Sequence, residues 1–275
     1  MKRLALTVLW WVLAAPVLAA NRADQHFQQQ FGDTFLDRFW AMNPDYGISV
    51  GYYKYADRLI APSEAARARN WHFLNTTLNE LGQIKADQLS PAVRADWELL
   101  KNQMESARWY QTEFRDWEWN PANYNVAEPF ALLLNTEYAA REQRLRTILK
   151  RLAQVPAYYA AARSNIKNPV REFTQLAIEQ NQGALDVFGA DMEKAFASSK
   201  LKPAERAQFF VQVDAARKAI TGYIAFLKEV DAKPGAEART FRIGKALYDQ
   251  KFAYDIQSGY SAEQLYQRAL VEKEK

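Results

Sequence analysis

The chain contains no cysteine, which excludes disulfides and thiolate metal sites and leaves stability to packing alone. It has two histidines, His26 and His72, and neither stands at metal-ligand spacing from a second histidine or a carboxylate. The H-E-x-x-H, C-x-x-C and D-x-D-x-D-G patterns are all missing, so no preformed zinc or EF-hand calcium site can be read. A G-x-S-x-G elbow, a P-loop and a G-x-G-x-x-G turn are missing too, and a Ser-His-Asp triad would have only those two histidines to use. No catalytic residue, metal ligand or cofactor is therefore assigned to this chain. A strong charge imbalance is also lacking: the formal net charge of +4 falls to +2 without Lys2 and Arg3. Such a balance implies no nucleic-acid partner.

After Leu13 no long uncharged run occurs, so no later segment reads as a membrane span. At the start, Lys2 and Arg3 precede an apolar stretch from Leu4 to Leu13 and the small residues of Val17-Leu18-Ala19-Ala20. This is the pattern of a secretory signal peptide over residues 1–19, cleaved after Ala19 or Ala20. The stretch is shorter than the roughly 20 residues that a span needs, which argues against an uncleaved anchor. The expected product is exported to the periplasm or beyond the cell, with no membrane attachment after cleavage. The hydrophobic share of 49% gives the remaining chain enough apolar surface for a large core.

Apolar residues recur at three- and four-residue steps and almost never alternate, so the fold class is all-α, a multi-helix array of amphipathic helices. Phe27, Phe31, Phe35 and Phe39 predict one aromatic face, closed at Asn43-Pro44 because a residue before proline is pushed out of the α region. Residues 44–62 read as a loop. A second helix places Trp71, Leu74, Leu78 and Leu81 on its buried side. Ser90-Pro91 opens a third, along which Val93, Trp97, Leu100, Met104 and Ala107 keep the rhythm. Residues 116–129, dense in Trp, Asn, Pro and Tyr, read as a structured loop. Helices resume through Leu145 to Val155, Tyr158 to Ile166 and Val170 to Phe188; the longest runs from Pro203 to Lys233-Pro234-Gly235. A short helix is expected around Gly244 to Tyr254. No repeat or linker marks a second domain.

Trp119 and Tyr124 belong to a ring cluster with Trp109, Tyr110 and Trp117 that can stack a ligand, although anchoring a rigid loop is the commoner use of rings set among Asn and Pro. Glu179, Gln180 and Asn181 form a polar group near the end of an amphipathic helix and are the favoured contribution to a substrate cleft. The carboxylate pairs Asp116 with Glu118 and Glu172 with Glu179 read as solvated helix faces, as does the basic run Arg141, Arg144, Arg146, Lys150 and Arg151.

Ser261-Ala262-Glu263-Gln264 is a capping box and opens a last helix whose Leu265, Ala269 and Leu270 share a side. No stop signal follows before Lys275, so the array is expected to be incomplete at its C-terminus.

Several ordered stretches resemble a known family: Trp117-Glu118-Trp119-Asn120-Pro121-Ala122-Asn123-Tyr124-Asn125, Arg151-Leu152-Ala153-Gln154-Val155-Pro156, Asn168-Pro169, Ala177 to Gly183, Phe241 to Lys245, and Tyr55 to Leu59. Together they resemble the bacterial proteins grouped as domain of unknown function 885. The resemblance implies a helical, exported protein similar to zincin metallopeptidases, with an H-E-x-x-x-G-H-H type segment in its C-terminal half. In zincins such a helix holds zinc and supplies the Glu that activates water. No residue here matches those positions. Residues 20–275 are thus expected to be the N-terminal helical portion of a larger peptidase-like domain, forming one wall of a peptide cleft. The expected partners are its own C-terminal half or a second copy, and zinc is expected only with that half. The alternative is a stand-alone periplasmic binding or adaptor module without enzymatic activity, docking through the final helix.

Overall fold

A computed structural model describes residues 21–233 and 239–275. The expected signal peptide over 1–19 and the expected stop at Pro234-Gly235 lie outside the described residues. The described residues form an all-α array, with no strand among them.

The first layer comes from the phenylalanine ladder. Asn21 caps α1 (Arg22–Phe31) by accepting from the Asp24 amide at 2.7 Å. The single aromatic helix expected from the spacing is broken at Gly32, and α2 (Asp33–Met42) begins after it. A Cβ at Gly32 would stand 2.4 Å from the Gln28 carbonyl oxygen, so only glycine allows that close turn. The ladder nevertheless crosses the break, with ring centroids of Phe27, Phe31, Phe35 and Phe39 separated in turn by 5.2, 5.6 and 6.2 Å. Leu74 and Leu81 of α4 (Glu64–Gly82) and Val93 and Met104 of α5 (Pro91–Trp109) complete this core. The Trp97 indole donates to the Leu81 carbonyl at 3.1 Å and docks α5 on the end of α4. Trp71, expected on the buried side, is instead 42% exposed, because the helical pitch puts Ala66, Leu74, Thr77 and Leu81 inside.

The loop expected over 44–62 is a loop only in its second part. Pro44, preset for the first helical turn, starts α3 (Pro44–Ser49). The chain then turns at Gly51 (φ 86°) and is tied to α2 by Asp37. That carboxylate accepts from the Tyr52 hydroxyl, the Lys54 ammonium and the Tyr55 hydroxyl, each at 2.7 Å. These bonds, Lys54's first, hold its pKa down to about 2.

The second and larger core is organised by α12 (Pro203–Ala232), whose Phe209, Val213, Ala216, Ile220, Tyr223 and Leu227 are buried. Packed on it are α8 (Arg141–Leu152), α9 (Val155–Asn165), α10 (Arg171–Val187) and α11 (Ala190–Ala197), with α7 (Ala127–Asn135) against α8 and α10. The sequence reading did not separate α11. It supplies Phe196, stacked on Phe209 with centroids 3.7 Å apart.

The basic run on α8 is a solvated face only in part: Arg141, Arg146 and Lys150 are exposed, Arg144 is half-buried and Arg151 is inside. Arg151 has no exposed surface. Its guanidinium donates to the Ala56 and Arg58 carbonyls, pairs with Asp45 and lies 5.4 Å from the Phe130 ring centroid. Arg144 donates to the Leu134 and Thr136 carbonyls at 2.8 and 3.0 Å, Arg141 reaches the Ala195 carbonyl at 2.9 Å, and Arg146 pairs with Glu205 at 2.7 Å. Arg144 and Arg141 thereby supply donors to carbonyls at the ends of α7 and α11.

Past the second segment boundary, α13 (Lys245–Ile256) is held to α5. Asn102 donates to the Tyr254 carbonyl at 3.1 Å and the Trp109 indole to Gln250 at 2.7 Å. α14 (Ala262–Lys273) starts at the expected capping box. Ser261 Oγ accepts from the Gln264 amide at 3.2 Å and Gln264 Oε1 from the Ser261 amide at 2.8 Å. None of its residues is buried.

Candidate functional site

The segment between α5 and α7 shapes the surface. α5 ends in a π-helical turn, Tyr110–Phe114, and Arg115 adopts left-handed dihedrals (φ 52°, ψ 38°). For a residue with a Cβ that conformation costs about 1 kcal/mol. The Arg115 amide bond to the Tyr110 carbonyl at 2.9 Å and a Glu118 ion pair hold it. The reversal leads into α6 (Asp116–Trp119) and then a 3₁₀ turn, Pro121–Asn123, where Asn120 accepts from the Ala122 amide at 3.1 Å. Backbone bonds from the Lys167 and Val170 amides to the Glu118 and Trp119 carbonyls, at 2.7 and 3.0 Å, pin the segment to the α9–α10 connection.

Each ring in this segment has a polar anchor. The indoles of Trp117 and Trp119 donate to the Gln111 and Phe114 carbonyls, both at 3.1 Å. The Tyr124 hydroxyl donates to the Trp117 carbonyl and accepts from Asn165 Nδ2 at 3.1 Å. Burial pushes its pKa up to about 12. Asp116, whose carboxyl is pushed up by burial, accepts from Asn123 at 3.0 Å.

The five residues expected in a cleft do not share one surface. Trp119, Tyr124 and Asn181 are buried, while Glu179 and Gln180 are exposed on α10. Asn181 is a structural tie: its Oδ1 accepts from the Tyr159 hydroxyl at 2.7 Å, and its Nδ2 donates to the Ala177 and Tyr124 carbonyls at 2.8 and 3.2 Å. Gln180 lines a polar cavity of about 610 Å³, Trp119 lines an apolar groove of about 770 Å³, and Glu179 lines neither.

The polar cavity lies among α3, α7, α9, α10 and the 123–125 stretch. Its functional groups are Asp45, Tyr46, Glu128, Tyr158, Asn125 and Gln180. Asn125 joins two walls by accepting from the Ala127 amide at 2.8 Å and donating to the Gln180 carbonyl at 3.1 Å. Burial holds the Tyr158 hydroxyl well above the ordinary phenol range, with the neighbouring Tyr159 and Asp45 adding to it. Sequence reading missed Asp45, Glu128 and Tyr158, which come from three helices. Two of them stand beside a proline, Pro44 and Pro129, the only local signal that they begin helices instead of lying on loops.

The apolar groove is walled on one side by Phe114, Trp119 and Phe173, and on the other by Ile243, Tyr248 and Tyr266 from the α13 and α14 region. Of its lining, Phe241, Tyr248 and Tyr266 are each about half exposed, as are Ile256, Tyr260 and Val271 elsewhere in the same C-terminal region. Arg239 lies 4.7 Å from the Trp119 ring centroid.

A solved protein from Shewanella oneidensis, described as a "putative lipoprotein of unknown function", is similar to this chain at 41% identity with a TM-score of 0.86. The match covers 90% of this chain and 45% of that one, so this chain spans less than half of its relative's length. No curated protein matches. With the family model matching residues 44–275, and with the tryptophan and asparagine segment inside that span, the chain belongs to the bacterial proteins of unknown function designated DUF885.

Proposed function

We propose that this chain is the N-terminal, non-catalytic scaffold and substrate-cleft portion of an exported protein similar to zinc metallopeptidases. The observation that carries the proposal is the apolar face of α13 and α14, where the half-exposed rings of Phe241, Tyr248 and Tyr266 border a groove of about 770 Å³. An apolar surface of that kind marks a contact with another protein surface. A relative in which 45% of the length is matched supplies the candidate occupant, its remaining portion. Gln180 and the polar cavity it lines are then the cleft side that faces peptide. Export is supported by the N-terminal sequence pattern and by the description of the relative as a lipoprotein.

Zinc has no donor set among the described residues: no three His, Cys, Asp or Glu side chains are grouped to hold a metal ion, and both histidines are exposed. These residues do not fit the metal, and no chemical step is assigned to it. The proposal places zinc in the companion portion.

Co-expression tests this. Beside the unmatched portion of the Shewanella relative, the chain should co-purify at one-to-one stoichiometry, with zinc in the complex and none in the chain alone. Tyr266→Glu with Leu270→Glu should abolish the complex. One equivalent of zinc retained by the dialysed chain overturns the assignment. A second reading, a periplasmic adaptor that docks by its last helix, draws on the exposed Tyr266, Leu270 and Val271 of α14. Self-association of the chain in sedimentation, lost in the same double variant, would favour that reading.

A further inference from the structure

We infer that the polar cavity binds a primary ammonium group carried next to a carbonyl, as at the amino terminus of a peptide. This rests on reading the cavity as part of a substrate cleft, and it names the ligand chemistry that the cleft selects.

The hydrogen-bond inventory of the wall decides the sign. Asn123 commits its Nδ2 to Asp116 at 3.0 Å, Asn125 commits its Nδ2 to the Gln180 carbonyl at 3.1 Å, and Ser49 donates to the Tyr46 carbonyl at 2.8 Å. These three side chains direct donors to the protein itself. The carboxylates differ. Glu128 has no ion pair or hydrogen bond through its side chain among the described residues, and Asp45 gives Arg151 only its Oδ1. No Lys, Arg or His lines the cavity. Arg151, fully buried behind Asp45, compensates one carboxylate, and the exposed carboxylate of Glu128 at the cavity has no ion-pair partner among the described residues. An ammonium group is three donors with no acceptor, the complement of such a wall.

Tyr158 gives an independent indication. It is only 8% exposed, its ring is held against Tyr124 and Tyr159 at 6.4 and 5.4 Å, and it reaches the cavity. Its hydroxyl has no hydrogen-bond partner among the described residues. The ring is buried but the hydroxyl is open to the cavity, where a group that enters can pair with it. With the side-chain amide of Gln180, also without a partner, it offers donors beside the acidic pair. A carbonyl next to the ammonium is the group that both donors can bind. The volume of about 610 Å³ fits a ligand of a few residues.

Calorimetric titration of the chain by itself at neutral pH tests the inference with three probes. Glycinamide carries both groups, N-acetylglycinamide lacks the cation, and ethylamine lacks the carbonyl. Glycinamide should bind at one site, and its N-acetyl form about tenfold more weakly, the scale of one charge-assisted contact. Glu128→Gln should weaken glycinamide by about the same factor. Tyr158→Phe, which deletes only a hydroxyl, should weaken glycinamide and leave ethylamine unchanged. Equal binding of the two amides, unchanged binding in Glu128→Gln, or no binding of glycinamide overturns the inference. Because no companion portion is present, these outcomes are separate from those of the co-expression test.

Discussion

The half-exposed carboxylate of Asp45 is the ion-pair partner of Arg151, whose guanidinium has no exposed surface. Helix α3 is thereby fastened to α8 across more than a hundred residues of chain. Asp45→Asn keeps the shape and strands a buried cation. Breaking a fully buried pair costs about 3–5 kcal/mol, and since Asp45 keeps contact with water, the expected loss is about 2–3 kcal/mol. Urea denaturation should show it as a lower midpoint with an unchanged slope. Adding Arg151→Met should recover part of the loss.

Asn181 joins α10 to α9 and to the 116–125 segment through two side-chain hydrogen bonds and makes a third to Ala177 within α10, at a position with no exposure. Asn181→Ala leaves the Tyr159 hydroxyl and the Tyr124 carbonyl without this partner and opens a small void. The expected destabilisation is about 2–3 kcal/mol, measured by thermal or urea unfolding. A loss under about half a kcal/mol would contradict the structural role.

Asp37 sets the acid limit of one contact. Its folded pKa of about 2 lies below the ordinary 3.8, so the stabilisation it gives is present above about pH 4 and is lost as pH falls through about 2. Carbon-detected NMR should find this carboxylate ionised at pH 3. Asp37→Asn should reduce stability at neutral pH, and the difference from the parent should shrink over that acid window.

Tyr124, Tyr158, Tyr159 and Tyr223 form one buried cluster, with successive ring centroids between 5.1 and 6.5 Å. Burial raises the pKa of all four above the ordinary 10.0. Unfolded phenols ionise first, so the stabilisation holds below pH 10 and falls as pH rises beyond it. Of the 14 tyrosines, these four should ionise only as helical circular dichroism is lost. Smooth ionisation of all tyrosines ahead of unfolding would contradict their burial.

Apolar periodicity fixed the helices that have one wet face, and both the Phe27–Phe39 ladder and the Ser261 capping box follow directly from local spacing. Arg151 was illegible for a physical reason: the carbonyls that take it inside belong to Ala56 and Arg58, more than ninety residues away. Asn181 was legible in principle. It continues the stripe Thr174, Ala177, Asn181 and Ala184, the buried side of α10, and a polar residue on that stripe is a core hydrogen-bonding group before it is a cleft residue. The polar cavity left almost no mark, since its acids and hydroxyls come from separate helices.

A single short segment divides the two hollows. Trp119 faces the apolar groove, and Asn123 and Asn125, four and six residues on, face the polar cavity. The pins at Glu118 and Trp119 join this partition to the α9–α10 connection, and the one at Asn125 joins it to α10. Occupancy of the two hollows is therefore subject to thermodynamic reciprocity. Whatever factor a partner seated on the groove imposes on affinity in the cavity by shifting the partition, a cavity ligand must impose on the partner in return.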